Sequence, residues 1–255
     1  MRLIKEHRGR SFVQEGVEIS IIVPVHNEAA NAPALAREIA DAFAGRAFEL
    51  IFVDDGSSDD TRAALLALKP DMPRLRVLAH RRNAGQSRAV WTGIQAARAP
   101  ILAICDGDGQ NDPKDLPRLI AHLLRPDAPA NLSMVQGVRR MRRDEWRRIM
   151  ASAIGNFYRN LILRDGSADS ACGMKALKRA AALRLPYFDH MHRYMPALLQ
   201  AQGDVVEHLD VAHRPRQQGR SHYTNLGRLI VGVGDVFGVA WLMRRRRATQ
   251  GEIEL

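Results

Sequence analysis

Apolar residues run almost without a break through "EISIIVPV" (18–25). A strand with one wet face alternates; a strand covered on both faces reads apolar throughout, so this stretch predicts a buried strand. "NAPALAREIADAF" (31–43) spaces its apolar positions as a helix does. "FELIFVDD" (48–55) predicts a second strand, and "SDDTRAALLAL" (58–68) a helix with Ser, Asp and Thr at its start. "RLRVLAH" (74–80), helical "GQSRAVWTGIQAAR" (85–98) and "PILAICD" (100–106) continue the alternation. Strand–helix alternation of this kind predicts a doubly wound, mostly parallel α/β sheet. Beyond residue 113 the pattern loosens. "PKDLPRLIAHLL" reads as a helix, "NLSMVQGV" as a strand and "DEWRRIMASAIGNFYRNLI" (144–162) as a longer helix. "HMHRYMPALLQAQG" reads as another helix and "DVVEHLDVAH" (204–213) as a last strand.

No internal repeat or linker divides the chain. Its 255 residues, 46% of them hydrophobic, suffice for one sizeable core. The organisation expected is an arm (1–17), one main domain (18–223) and a C-terminal appendage (224–255). Lys and Arg number 38 against 28 Asp and Glu, a net charge of +10. Such a surface favours polyanions: nucleic acid, anionic lipid or phosphorylated small molecules. There is no helix-turn-helix, zinc-finger or RNP signature, and the aromatics do not interleave with the basic runs, so nucleic acid is not the expected partner. Cys105 and Cys172 make no metal-binding pair by spacing and read as small buried residues of a reducing compartment. "MRLIKEHRGRSF" has no apolar core, unlike a secretory leader.

Against this basic background, "ICDGDGQNDP" (104–113) concentrates three aspartates: Asp106, Asp108 and Asp112. Asp54 and Asp55 end another strand of the same sheet. Asp-Gly-Ser is also good turn chemistry, and one such cluster alone reads as a turn with a helix cap. Two at equivalent strand ends point instead to one crevice, because ligands of open parallel sheets bind outside the carboxyl ends of the strands. Unpaired carboxylates about 4 Å apart repel by roughly 4 kcal/mol at an effective dielectric near 20. A divalent cation removes that repulsion, and oxygen ligands favour Mg²⁺ or Mn²⁺. Gly107 and Gly109 allow the turn that brings Asp106 and Asp108 to one ion. The phosphate loops of P-loop NTPases and dinucleotide-binding folds are both missing. Nucleotide-sugar chemistry remains a strong option.

Five segments, in order, carry a resemblance: "IIVPVHNEAAN", "IFVDDGSSDDT", "RRNAGQSRAVWTGIQAA", "ICDGDGQNDPKDLP" and "DSACGMKALKR". Together they resemble family 2 inverting glycosyltransferases of the GT-A (nucleotide-diphospho-sugar transferase) fold, and most of all the polyprenyl-phosphate, dolichol-phosphate mannosyltransferase-like subgroup. The resemblance implies that Pro24, Asn27, Glu28, Asp54 and Asp55, with Asp106, hold the nucleotide. It implies a metal held by Asp106 and Asp108 with Gln110 as third ligand. It places Asp169 near the acceptor. Arg216 and Arg220, with Ser221 and His222, fall on a loop over the diphosphate, and His222 stands where relatives often carry Lys. Catalytic roles fall to Asp108, Asp169 and Arg220. The activity implied is hexosyl transfer from a UDP- or GDP-sugar to a polyprenyl phosphate, with Mg²⁺ or Mn²⁺.

Such an acceptor lies in a membrane. "GVRRMRRDEWRR" offers Arg139, Arg140, Arg142 and Arg143 to a phosphate headgroup, although a solvated basic face reads the same way. "LGRLIVGVGDVFGVAWLMRRRR" (226–247) is interrupted by Asp235 and glycines. It reads as an amphipathic helix on an anionic surface or as a helix packed on the core. The expected location is cytoplasmic, peripheral to the inner face of the membrane. A soluble or polysaccharide acceptor on the same fold stays open.

Overall fold

A computed structural model describes residues 16–139, 159–167, 169, 172–212, 214 and 225–245, with side chains from 234 onward in the last segment. The four expected early strands form: β1 (Ile19–Val25), β2 (Phe48–Asp54), β3 (Leu75–Ala79) and β4 (Ile101–Ile104). Between them lie α1 (Ala32–Ala42), α2 (Thr61–Ala67) and α3 (Gln86–Ala96). α4 (Asp115–Leu123), β5 (Leu132–Arg139), β6 (Lys175–Lys178), α5 (Arg179–Leu183), α6 (Met195–Gln200), β7 (Val205–Val211) and α7 (Asn225–Arg245) follow. Residues 159–163, the end of the stretch read as a long helix, are helical.

The seven strands pair in the order β3-β2-β1-β4-β6-β5-β7. Among the described residues β6 alone runs against the rest, antiparallel to both β4 and β5. Each face of the sheet carries its own core. Ile21, Val23, Leu50 and Phe52 point to the face covered by α1 and α4, against Leu35, Ile39, Leu116 and Leu119. Ile22, Ile51, Val53, Leu102 and Ile104 point to the other, against Val90, Ile94, Met195 and Leu198. This is why β1 and β2 read mostly apolar: all seven residues of each are buried, Ser20, Glu49 and Asp54 included. Each such Ile, Leu or Phe contributes roughly 1.5–3 kcal/mol by leaving water.

The later chain departs from the sequence expectation at β6 with α5 and at residues 190–203, and it decides between the two readings of the C-terminal helix. β6 and α5 were not foreseen. The segment 190–203 is not one helix: a 3₁₀ turn, Met191–Arg193, precedes α6. Pro196 sits in the first turn of α6, and proline disfavours a helical residue before it, so α6 begins anew at Met195. The C-terminal helix forms and is docked on the body, as the second of its two readings had it. Val239 and Ala240 are buried in the second core, with Val236 and Met243 packed against it, while Phe237 and Trp241 face outward.

Candidate active site

The carboxyl ends of the neighbouring parallel strands β1, β2 and β4 lie together, where a parallel sheet places its ligand crevice. After β1 the chain turns at Asn27, whose φ of 56° is left-handed, a conformation Asn tolerates. Its N–H donates to Ser57 Oγ (2.9 Å), and its Oδ1 accepts the Ser58 N–H (2.8 Å). The Glu28 N–H donates to Thr61 Oγ1 (2.8 Å), and Glu28 Oε2 accepts from Asn31 (2.6 Å). The expected nucleoside segment is thus laced to the D-D-G-S turn. Pro24 lies buried in β1 opposite Val53.

Asp54 and Asp55 are 0% and 3% exposed. Asp54 accepts from the Ser57 N–H and Arg62 Nε, both at 2.9 Å. Burial raises its carboxyl, but the Ser57 and Arg62 contacts outweigh this and hold it below the usual range. Asp55 accepts from His80 Nδ1 (2.6 Å) and from the N–H groups of Ala84 (2.9 Å) and Gly85 (2.8 Å). Every oxygen of the pair is engaged by the protein. In this structure the two residues brace the crevice wall and fix the loop that starts α3.

Past β4, Asp106 and Asp108 occupy a turn. Gly107 is needed there: a Cβ would lie 2.6 Å from the Pro24 carbonyl and 2.4 Å from Val25 Cγ1. Both aspartates are half-buried. Gln86 Nε2, at the start of α3, donates to Asp106 Oδ1 (2.8 Å), and the Gln110 N–H donates to Asp108 Oδ1 (3.1 Å). Burial and then the neighbouring Asp108 push the Asp106 carboxyl up. Two oxygen-donor carboxylates on one turn fit a divalent cation. Among the described residues no third His, Cys, Asp or Glu joins them. That suits Mg²⁺, which takes one or two carboxylates and completes its shell from water and substrate phosphate. Asp112 is not part of the pair. It binds Arg214 Nη2 (2.9 Å), whose Nη1 reaches Glu38 (2.6 Å) and whose N–H donates to the Gln110 carbonyl (2.8 Å).

The antiparallel β6 brings a second group of residues to the crevice. Asp169 takes a two-pronged ion pair from Arg139, Nε to Oδ2 at 2.7 Å and Nη2 to Oδ1 at 2.9 Å. Burial raises the Asp169 carboxyl, but Arg139 dominates and holds it below its ordinary value. Lys175 is buried, and its ammonium donates to the Cys172 carbonyl. His192 Nδ1 lies 2.7 Å from Ser87 Oγ; burial, then Lys175 and Arg193, push its pKa well down. Cys105 and Cys172 are buried as expected. Burial lifts the Cys172 thiol to about 11 and Cys105 well above its ordinary value, so neither is a thiolate at neutral pH.

Gln86, Lys175, His192 and Arg214 were not singled out from the sequence. The available signals were slight: a lysine heading a short apolar run, and the first arginine of "RPRQQGR". Of the expected site residues, Arg143, Arg216, Arg220, Ser221 and His222 lie outside the described residues, as do Arg140 and Arg142.

A family model, "Glycosyl transferase family 2", matches residues 20–185. A dodecaprenyl-phosphate galacturonate synthase of Rhizobium johnstonii is 30% identical over 246 residues, 93% of this chain and 70% of that protein. An undecaprenyl-phosphate 4-deoxy-4-formamido-L-arabinose transferase of Pseudomonas paraeruginosa is 31% identical over 215 residues, covering 81% of this chain and 60% of its own length. The chain therefore spans about two thirds of such relatives. Among solved structures, glucosyl-3-phosphoglycerate synthase of Mycobacterium tuberculosis, in complex with Mn²⁺, UDP-glucose and phosphoglyceric acid, superposes with a TM-score of 0.67 at 19% identity. That match covers 91% of this chain and 81% of the other. The same enzyme has been crystallised with Mg²⁺ and UDP. The shared fold is GT-A, as the resemblance implied.

Proposed function

The chain belongs to glycosyl transferase family 2, and we propose that it moves a sugar from a nucleotide-diphosphate donor to a polyprenyl phosphate at a membrane surface. The observation that carries this reading is the acidic pair Asp106/Asp108 at the end of β4, set beside the Arg139–Asp169 pair. Asp106 and Asp108, with Gln110, would hold Mg²⁺ or Mn²⁺, which when bound supplies Lewis-acid stabilisation of the departing nucleoside diphosphate. The laced turns at Asn27–Glu28 and Asp54–Asp55 shape the wall against which a UDP or GDP moiety rests. Arg139, fixed by Asp169, presents positive charge to the acceptor phosphate.

A phosphate acceptor is already an anion at neutral pH and needs no general base. The site agrees with that requirement. Asp169 is held ionised by Arg139 and His192 is held neutral by burial, so both are weak proton acceptors near pH 7. Catalysis then rests on positioning and charge stabilisation. Asp169 acts here by orienting Arg139.

Membrane contact falls to α7. Among the described residues no helix is long and apolar enough to cross a membrane. Phe237 and Trp241, 61% and 57% exposed, stand one turn apart on the side of α7 away from the core, followed by Arg244 and Arg245. Aromatics beside arginines suit a peripheral contact with an anionic surface, the inner face of the membrane where nucleotide sugars are available. The test is to incubate the protein with Mn²⁺, a panel of UDP- and GDP-sugars and vesicles carrying polyprenyl phosphate. A sugar-linked lipid is the expected product. Transfer only to soluble acceptors, or none with any donor, would overturn the reading.

A further inference from the structure

Lys175 opens β6 with 2% of its surface exposed. Its ammonium donates to the Cys172 carbonyl, and no carboxylate among the described residues makes an ion pair with it. Burying an ammonium without a carboxylate partner is unfavourable, and a methionine would fill the same space. The next two residues, Ala176 and Leu177, are apolar and buried. Something other than packing accounts for a lysine at this position.

Its place in the sheet supplies the reason. Ile104 and Lys175 are directly opposed in the antiparallel β4–β6 ladder. Opposed residues share a face, and so do residues two apart along a strand. Asp106 follows two residues beyond Ile104, in the turn after β4, so Lys175 stands beside the base of the acidic turn. The intervening backbone is Gly173, over which the Asp106 carboxylate lies: a Cβ there would be 2.0 Å from Asp106 Oδ2. Burial pulls the Lys175 ammonium below its ordinary value and pushes the Asp106 carboxyl up, and the Lys175 charge opposes what burial and Asp108 do to Asp106.

We propose that Lys175 is a positioning residue of the cation site, a built-in countercharge that steadies Asp106 and Asp108 in the donor-free protein and weakens their hold on a cation that arrives alone. A fixed positive charge beside the pair repels an arriving cation, and by linkage the bound cation disfavours the charged lysine by the same free energy. The donor diphosphate brings negative charge that offsets this opposition. The cation is then held firmly only together with the nucleotide and is released with it. This inference rests on the donor reading above, but its test does not require the acceptor.

The experiment is a titration of Mn²⁺ into the full chain, followed by electron paramagnetic resonance, with and without UDP. The wild type should bind Mn²⁺ weakly alone and about tenfold or more tightly with UDP. Lys175→Met should bind Mn²⁺ alone about tenfold more tightly than the wild type, the scale of one nearby unit charge, and Lys175→Arg should behave as the wild type. Unchanged Mn²⁺ affinity in a folded Lys175→Met protein overturns the proposal and leaves the donor reading standing. If thermal melts show that Lys175→Met does not fold, Lys175→Gln decides by the same titration. Tighter Mn²⁺ binding without UDP supports the proposal, and unchanged affinity in the folded variant overturns it. No Mn²⁺ binding under either condition overturns both readings.

Discussion

Replacing Gly173 by alanine tests the geometry of the crevice with one methyl group. The added Cβ would lie 2.0 Å from Asp106 Oδ2, 2.1 Å from Cγ and 2.3 Å from Oδ1, where ordinary contact begins near 3.4 Å. Either the carboxylate retreats by about 1.4 Å or the start of β6 moves by a similar distance. A retreat breaks the 2.8 Å bond from Gln86 and takes Asp106 away from any cation shared with Asp108. Misplacing a reacting group by about 1 Å lowers rates roughly 100-fold, and this corresponds to about 2.7 kcal/mol of lost transition-state stabilisation. Movement of β6 instead would appear as overpacking, about 1–3 kcal/mol of stability. The assay is kcat/KM for sugar transfer at saturating Mn²⁺, read beside a thermal melt. A Gly173→Ala enzyme with kcat/KM within threefold of wild type and an unaltered Tm would refute the placement of Asp106 over the glycine.

Asp108→Asn should abolish transfer and greatly weaken Mn²⁺-dependent UDP binding without lowering Tm; calorimetric titration of UDP with and without Mn²⁺ reads both. Arg139→Ala should lower kcat more than tenfold, because it removes the cation facing the acceptor and frees Asp169, and a kcat/KM split on polyprenyl phosphate checks this. The Asp169 carboxyl is depressed in the folded state, so its contribution to stability is complete above its unfolded pKa of about 3.9 and is lost as pH falls through the lower folded value. The wild-type Tm should therefore fall more steeply than that of Arg139→Ala over this acid window in a melt series across pH. Phe237→Ser with Trp241→Ser should reduce co-sedimentation with anionic vesicles while leaving donor binding intact, because both side chains face away from the core. Unchanged sedimentation would remove α7 from the membrane role.

Much of the first half of the fold was legible because β1, β2 and β4 are covered on both faces and α1 and α3 are amphipathic; β1 to β4 and α1 to α3 each fall within the stretches read for them. β6 was not legible. It has four residues and lysine at both ends, and its strand state is imposed by β4 and β5 on either side. The pattern of 190–203 suggested one helix because its apolar spacing survives the break at Tyr194. At the site, Asp106 and Asp108 were readable as a pair of acids at a strand end. Lys175, Gln86 and Arg214 were not, because single polar residues carry no periodic signal and their burial and partners are set by distant segments.

The reversed strand also bears on how the protein is made. Ile19 pairs with Phe48, 29 residues on, so the first parallel pairs can form early in synthesis. Ile104 meets Lys175 only 71 residues later, and non-local pairings of this kind form slowly. Until β6 is inserted, β4 is an open edge and Asp106 has neither its glycine platform nor the lysine behind it. A chain halted before residue 172 would own the acidic turn without the floor beneath it, so the catalytic crevice is among the last parts of the molecule to be completed.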